Sequence, residues 1–141
     1  MTPDDETFLR RAVELASRAG ASGERPFGSL LVSADGTVLI EDHNTVVSDV
    51  DITAHPELKL ARWAARELAP EVAATTTMFT SCQPCPMCAT AIDRSGLGRV
   101  VYALSAEQFE ELKPPTAPLP PVRYEGPALF DEARQPIDNY Y

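Results

Sequence analysis

Apolar residues recur at three- and four-residue intervals through Phe8, Leu9, Ala12, Leu15, Ala16 and Ala19, a spacing that predicts an amphipathic helix over residues 4–19. Asp4 or Asp5 can cap its start, and Gly20, Gly23 and Pro26 close it. The period then changes. Residues 27–32 are mostly apolar and read as a strand, Asp35-Gly36 is a hairpin signal, and residues 37–40 resume the strand pattern. Helical spacing returns over residues 56–68 and stops before Pro70. Thr75 to Ser81 is β-branched and apolar, which predicts a third strand. A helix over 86–95 follows, with Gly96 as its C-cap, then a strand over 99–104 and a short helix over 106–112. The order α-β-β-α-β-α-β-α predicts a layered α/β domain: a hairpin, then strands joined by helical crossovers.

From Lys113 the pattern stops. Pro114, Pro115, Pro118, Pro120 and Pro121 make a stiff, extended segment unsuited to a central strand. A short helix is predicted within residues 128–134. With 141 residues the chain is read as one domain, residues 112–141 being its proline-rich segment and tail. Apolar residues are 44% and charged residues 23%, an ordinary globular composition. No apolar run approaches the ~20 residues of a membrane span, and the charged N-terminus has no signal-peptide pattern. The expectation is a cytoplasmic protein with no membrane partner. Twelve basic residues against 21 acidic ones give a net charge of −9, which argues against an extended polyanion-binding surface.

The three cysteines, Cys82, Cys85 and Cys88, fall within seven residues. In a reducing compartment that clustering favours a metal site over a disulfide framework. Cys85 and Cys88 are three apart at a helix start, so their sulfurs can converge on one ion. Thirty positions earlier lies His55-Pro56-Glu57. One imidazole and two thiolates give zinc three ligands and leave a fourth position for water, the mark of a catalytic site. A proline follows both His55 and Cys85, and proline favours the first helical position, so both ligands are placed at helix N-termini. Two thiolates neutralise Zn²⁺, so a second group is needed to take the proton of a bound water. Glu57, two residues past His55, fits that need without being a ligand. Cys82 reads as a buried thiol rather than a ligand, His43 as a strand-end histidine, Trp63 as core, and Asp49 and Asp51 as solvated loop charges.

The pattern H-x-E…P-C-x-x-C is the signature of zinc nucleobase deaminases. The chain resembles the cytidine-deaminase-like superfamily, in its branch of guanine deaminases and tRNA adenosine deaminases. The resemblance covers roughly residues 4–112. It is carried by Pro26-Phe27-Gly28-Ser29, His43-Asn44, Thr53-Ala54-His55-Pro56-Glu57 and Ser81-Cys82-Gln83-Pro84-Cys85-Pro86-Met87-Cys88. It implies a three-layer α/β/α fold with a five-stranded mixed sheet, usually dimeric, so a homodimer is expected. It implies that Asn44 hydrogen-bonds the base and that Phe27 and Pro56 lie against the substrate. It also implies that Glu57 moves protons from water to a ring nitrogen and then to the departing amine. Two positions depart from the family: Pro56 stands where alanine is usual and offers no N–H, and Gln83 stands where glutamate is frequent. Three functions follow as alternatives. The first is a hydrolytic deaminase of a free base, a guanine-type purine or triazine, that releases ammonia. The second is a tRNA adenosine deaminase, which the scarcity of basic residues disfavours. The third is a non-catalytic zinc-binding interaction module, which the presence of Glu57 argues against. Tyr140-Tyr141 reads as a frayed end or as a cover for a base in the pocket.

Overall fold

The first helix is opened by Thr2, not by Asp4 or Asp5. In the computed structural model, which describes residues 1–141, α1 spans Pro3–Ala21. Thr2 Oγ1 accepts from the Asp5 N–H at 3.2 Å, and Asp5 Oδ2 accepts from the Thr2 N–H at 2.8 Å. This is a capping box with aspartate in the position usually held by glutamate. The strands are β1 (Gly28–Val32), β2 (Val38–His43), β3 (Thr77–Cys82) and β4 (Arg99–Leu104). The remaining helices are α2 (Val46–Asp49), α3 (Pro56–Glu67), α4 (Pro70–Ala73), α5 (Pro86–Ser95), α6 (Ala106–Leu112) and α7 (Phe130–Tyr140). Gly96 caps α5 in the left-handed conformation, as expected.

The sheet has four strands in the order β2-β1-β3-β4, not the five that the resemblance implies. β1 runs antiparallel to β2 and to β3, while β3 and β4 are parallel. No fifth strand forms because the chain after β4 enters α6 and then the prolines from 114 to 121, which have no N–H to give a ladder.

Strand alternation sorts the core onto two faces. Leu30 and Val32 of β1, Phe79 of β3 and Val101 of β4 meet Leu9 and Ala12 of α1. Leu31 and Met78 point the other way, against Leu60, Ala61 and Ala64 of α3 and Ile92 of α5, with Trp63 packed on this cluster. The result is the expected α/β/α layering. A Cβ on Gly28 would lie 2.5 Å from Leu15 Cβ and 2.7 Å from Ala12 O, so glycine is what lets α1 press onto the start of β1. The register pairs Gly28 with His43 and Ser29 with Thr80. The start of β1, the end of β2 and the end of β3 therefore share one edge. Asn44 follows β2 there, and the cysteine segment follows β3. Residues 114–141 are exposed throughout, and α7 buries none of its residues.

Candidate active site

Two helix N-termini meet at that edge. His55 is the N-cap residue of α3 and Cys85 that of α5, both in extended conformation with proline at the next position. Neither side chain caps its own helix, which leaves both free to face each other. Cys88, one turn into α5, is fully buried. Its sulfur lies 3.5 Å from His55 Nδ1, and Cys85 Sγ lies 3.7 Å from the same nitrogen. All three donor atoms fall within 4.8 Å of one another. A tetrahedral zinc with ordinary bond lengths of about 2.3 Å to sulfur and 2.0 Å to nitrogen separates such atoms by about 3.6 Å. The donor set thus fits zinc in both chemistry and spacing, through Nδ1 of the imidazole. Cys82, buried at the end of β3, is outside this cluster.

The thiols are tuned by their setting. Burial, and then the negative charge of Glu57, push Cys88 and Cys82 above the usual thiol range. A buried thiolate is costly unless a cation sits beside it, so Cys88 ionises together with metal uptake.

Glu57 occupies the second position of α3 and is only 6% exposed. Burial raises its carboxyl above the ordinary range, while bonds from Ser29 and Thr80, contact with Cys88 and the His55 ring pull it down. Ser29 Oγ and Thr80 Oγ1 both lie 3.1 Å from Oε1.

Asn44 is buried just after β2. Its N–H donates to Phe27 O at 3.0 Å, and its Oδ1 accepts from the Val46 N–H at 2.9 Å. Lys59, on α3, fixes this corner by donating to Asp42 Oδ1, His43 O and Thr45 Oγ1 at 2.9–3.0 Å. Glu24 accepts from the N–H groups of Val47 and Ser48, both at 3.1 Å. Phe27 is half-buried and packs edge-on against Phe109 at 5.4 Å. Pro56 is fully buried. His43 closes the end of β2, its Nδ1 3.0 Å from Asn44 O. Asp49 and Asp51 are exposed but accept from Thr45 and Thr53. The structure thus gathers His55, Cys85, Cys88 and Glu57, and ties Asn44 to Phe27. Ser29, Thr80 and Lys59 escape a reading for chemistry. The one signal is for Ser29, a hydroxyl inside the otherwise apolar β1, whereas Thr80 shares β3 with Thr77 and Ser81.

Residues 2–104 match the cytidine and deoxycytidylate deaminase zinc-binding region. A probable cytosine deaminase of Schizosaccharomyces pombe is 30% identical over 98% of this chain and 83% of its own length. The guanine deaminase of Bacillus subtilis is 42% identical over 70% of this chain and 63% of its own. Its crystal structure superposes with a TM-score of 0.79, covering 99% of this chain and 94% of that one at 31% identity. A tRNA-specific adenosine deaminase of Haemophilus influenzae is 36% identical over 72% of this chain and 58% of its own length. The matched stretches span less than two thirds of the guanine deaminase and tRNA deaminase sequences.

Proposed function

Because the chain belongs to the cytidine and deoxycytidylate deaminase zinc-binding family, we propose that it is a hydrolytic deaminase of a free amino-bearing ring, a guanine-type purine or a triazine. The observation that carries this is the buried Glu57 carboxylate beside the His55–Cys85–Cys88 donor set, held by hydroxyls at one oxygen. His55, Cys85 and Cys88 would hold the zinc, which would supply Lewis-acid activation of water near neutral pH.

The chain's own groups then manage protons. Glu57 accepts one proton from the attacking water as oxygen bonds to the ring carbon bearing the amino group. It passes that proton to a ring nitrogen, then carries the remaining proton to the amine, and the carbon–nitrogen bond breaks to give ammonia. The raised carboxyl suits a group that must both take and give. Asn44 and Phe27 are assigned to the base, one by an amide and one by a ring face or edge. Pro56, without an N–H, gives the base no backbone donor.

Charge supports a small substrate. Binding tRNA requires lysine and arginine free to meet phosphates. The only consecutive basic pair is neutralised, Arg10 by Glu6 and Arg11 by Glu14 and Glu41. Lys59 is spent on Asp42 and Arg99 on Asp5. The likeness to the Haemophilus influenzae protein keeps tRNA adenosine deamination as the second reading.

Residues 1–141 are taken as a single domain working as a homodimer in the cytoplasm. Support for association is the exposed tail, in which Leu119, Tyr124, Phe130 and Tyr140 find no cover in their own chain. No helix is long and apolar enough to cross a membrane. An ammonia-release panel of purines, pyrimidines, nucleosides and triazines tests the reading, with release from at least one free purine or triazine expected. Inosine formed at a tRNA anticodon, without turnover of any free base, favours the second reading instead.

A further inference from the structure

We propose that Ser29 and Thr80 are positioning residues that anchor Glu57 by Oε1 and leave Oε2 as the oxygen free to exchange protons. The proposal rests on the reading of Glu57 as the proton carrier.

Ser29 and Thr80 face each other across the antiparallel β1–β3 ladder, and both are fully buried. They lie on the face that carries α3, in register with Leu31 and Met78. A hydroxyl in such a place is costly unless it is hydrogen-bonded. Here the partner is a carboxylate from another element. Ser29 Oγ and Thr80 Oγ1 are 2.8 Å apart, and each is 3.1 Å from Glu57 Oε1. The three oxygens form a closed triangle holding two hydroxyl protons.

The outlets for those protons are few. Gly28 O is 3.5 Å from Thr80 Oγ1, beyond good hydrogen-bond reach. If Ser29 donates to Thr80, then Thr80 must donate to Oε1. If Thr80 donates to Ser29, then Ser29 must. Either way Oε1 receives at least one proton. Protonating Oε1 would replace a charged acceptor with the weaker oxygen of an acid hydroxyl. The geometry thus makes Oε1 the anchored oxygen and leaves Oε2 as the one not engaged by the pair.

The two strands also remove slack. Glutamate has three rotatable side-chain bonds, and a carboxylate held only by its helix could swing away from the donor set. A cross-strand pair is stiff, because its geometry is set by the ladder. Fixing the distance and direction of a proton carrier is worth rate rather than affinity.

The variants are Ser29→Ala, Thr80→Val, their combination, and Thr80→Ser, which keeps the hydroxyl. Guanine serves as the kinetic probe. With zinc content and KM unchanged, each single loss lowers kcat by about tenfold, as expected for a bond to a charged group, and the combination lowers it further. Thr80→Ser recovers most of the loss seen in Thr80→Val. In a Glu57→Asp background, where the carboxylate is one methylene shorter and its contact with the pair is weakened, Thr80→Val is expected to lower kcat less than it does in the wild type. A folded, zinc-replete double variant with unchanged kcat would overturn the proposal, as would a loss fully explained by lost zinc. Infrared spectra need no substrate. Subtracting the Glu57→Gln spectrum isolates the Glu57 carboxylate stretches, and their spacing narrows in the double variant at mildly alkaline pH. Unshifted bands overturn the anchoring, whereas a fully active Glu57→Gln overturns the reading of Glu57 itself, so the two failures separate.

Discussion

Cys82 and Cys88 are both buried thiols at the same edge of the sheet, yet only Cys88 has its sulfur 3.5 Å from an imidazole nitrogen. The difference predicts opposite fates on mutation. Cys88→Ser loses zinc and turnover together, while Cys82→Ser keeps about one zinc per chain by elemental analysis. Zinc retained by Cys88→Ser and lost by Cys82→Ser would reverse the ligand assignment. Because burial raises the Cys88 thiol, loading the metal releases its proton. Zinc binding in titrations therefore weakens as pH falls. The His55–Cys85–Cys88 donor cluster and the neighbouring Glu57 were legible in the sequence because ligand type, a following proline and a three-residue step are all local signals. Ser29 and Thr80, 51 residues apart, were not. What joins them is a strand register, which no local pattern states.

The elements were legible where periodicity was long. α1, α3, α5 and the four strands fall within a few residues of their predicted bounds. α2 and α4 are single turns of four residues, too short to show a period. The expected fifth strand came from resemblance, and the prolines after α6 rule it out in this chain. The tail helix is longer than predicted because it continues through Pro136 to Tyr140. Between elements, the bond with the clearest pH signature joins α1 to β4. Arg99 donates through both terminal nitrogens to Asp5, at 2.7 and 3.0 Å. The Arg99 guanidinium and the Thr2 N–H hold the Asp5 carboxyl well below the usual carboxylate range. In the unfolded chain it titrates near ~3.9, so the unfolded state binds its proton first as pH falls. The stabilisation is complete above about pH 4 and fades below it, as pH falls towards the folded-state value. Asp5→Asn thus lowers the melting temperature at neutral pH, and the gap to the wild type closes under stronger acid. A gap that stays constant down to that acid range would mean the ion pair contributes nothing.

At the scale of the whole molecule, a well-packed body carries a tail that contributes nothing to its own core. Tyr140 and Tyr141 stack edge-on at 4.9 Å, both exposed, an arrangement aromatic pairs prefer. Deleting residues 136–141 removes no buried group, so thermal melting stays close to that of the intact chain. If these rings roof a bound base, the same deletion lowers kcat/KM sharply. An unchanged kcat/KM would remove the tail from catalysis. The acidic surface acts at this scale too. With net charge −9 and its basic pair neutralised, turnover of a small uncharged ring should depend little on ionic strength, unlike binding to a polyanion.

The central proposal is one carboxylate moving protons beside a zinc held by His55, Cys85 and Cys88. The most direct test is ammonia release by wild type and Glu57→Gln matched for zinc content, on the free base that the substrate panel identifies. Gln keeps the shape of the side chain but cannot accept a proton. Turnover at neutral pH is expected to fall at least ~100-fold with zinc and folding unchanged. Turnover close to wild type in the zinc-replete Glu57→Gln protein would contradict the account.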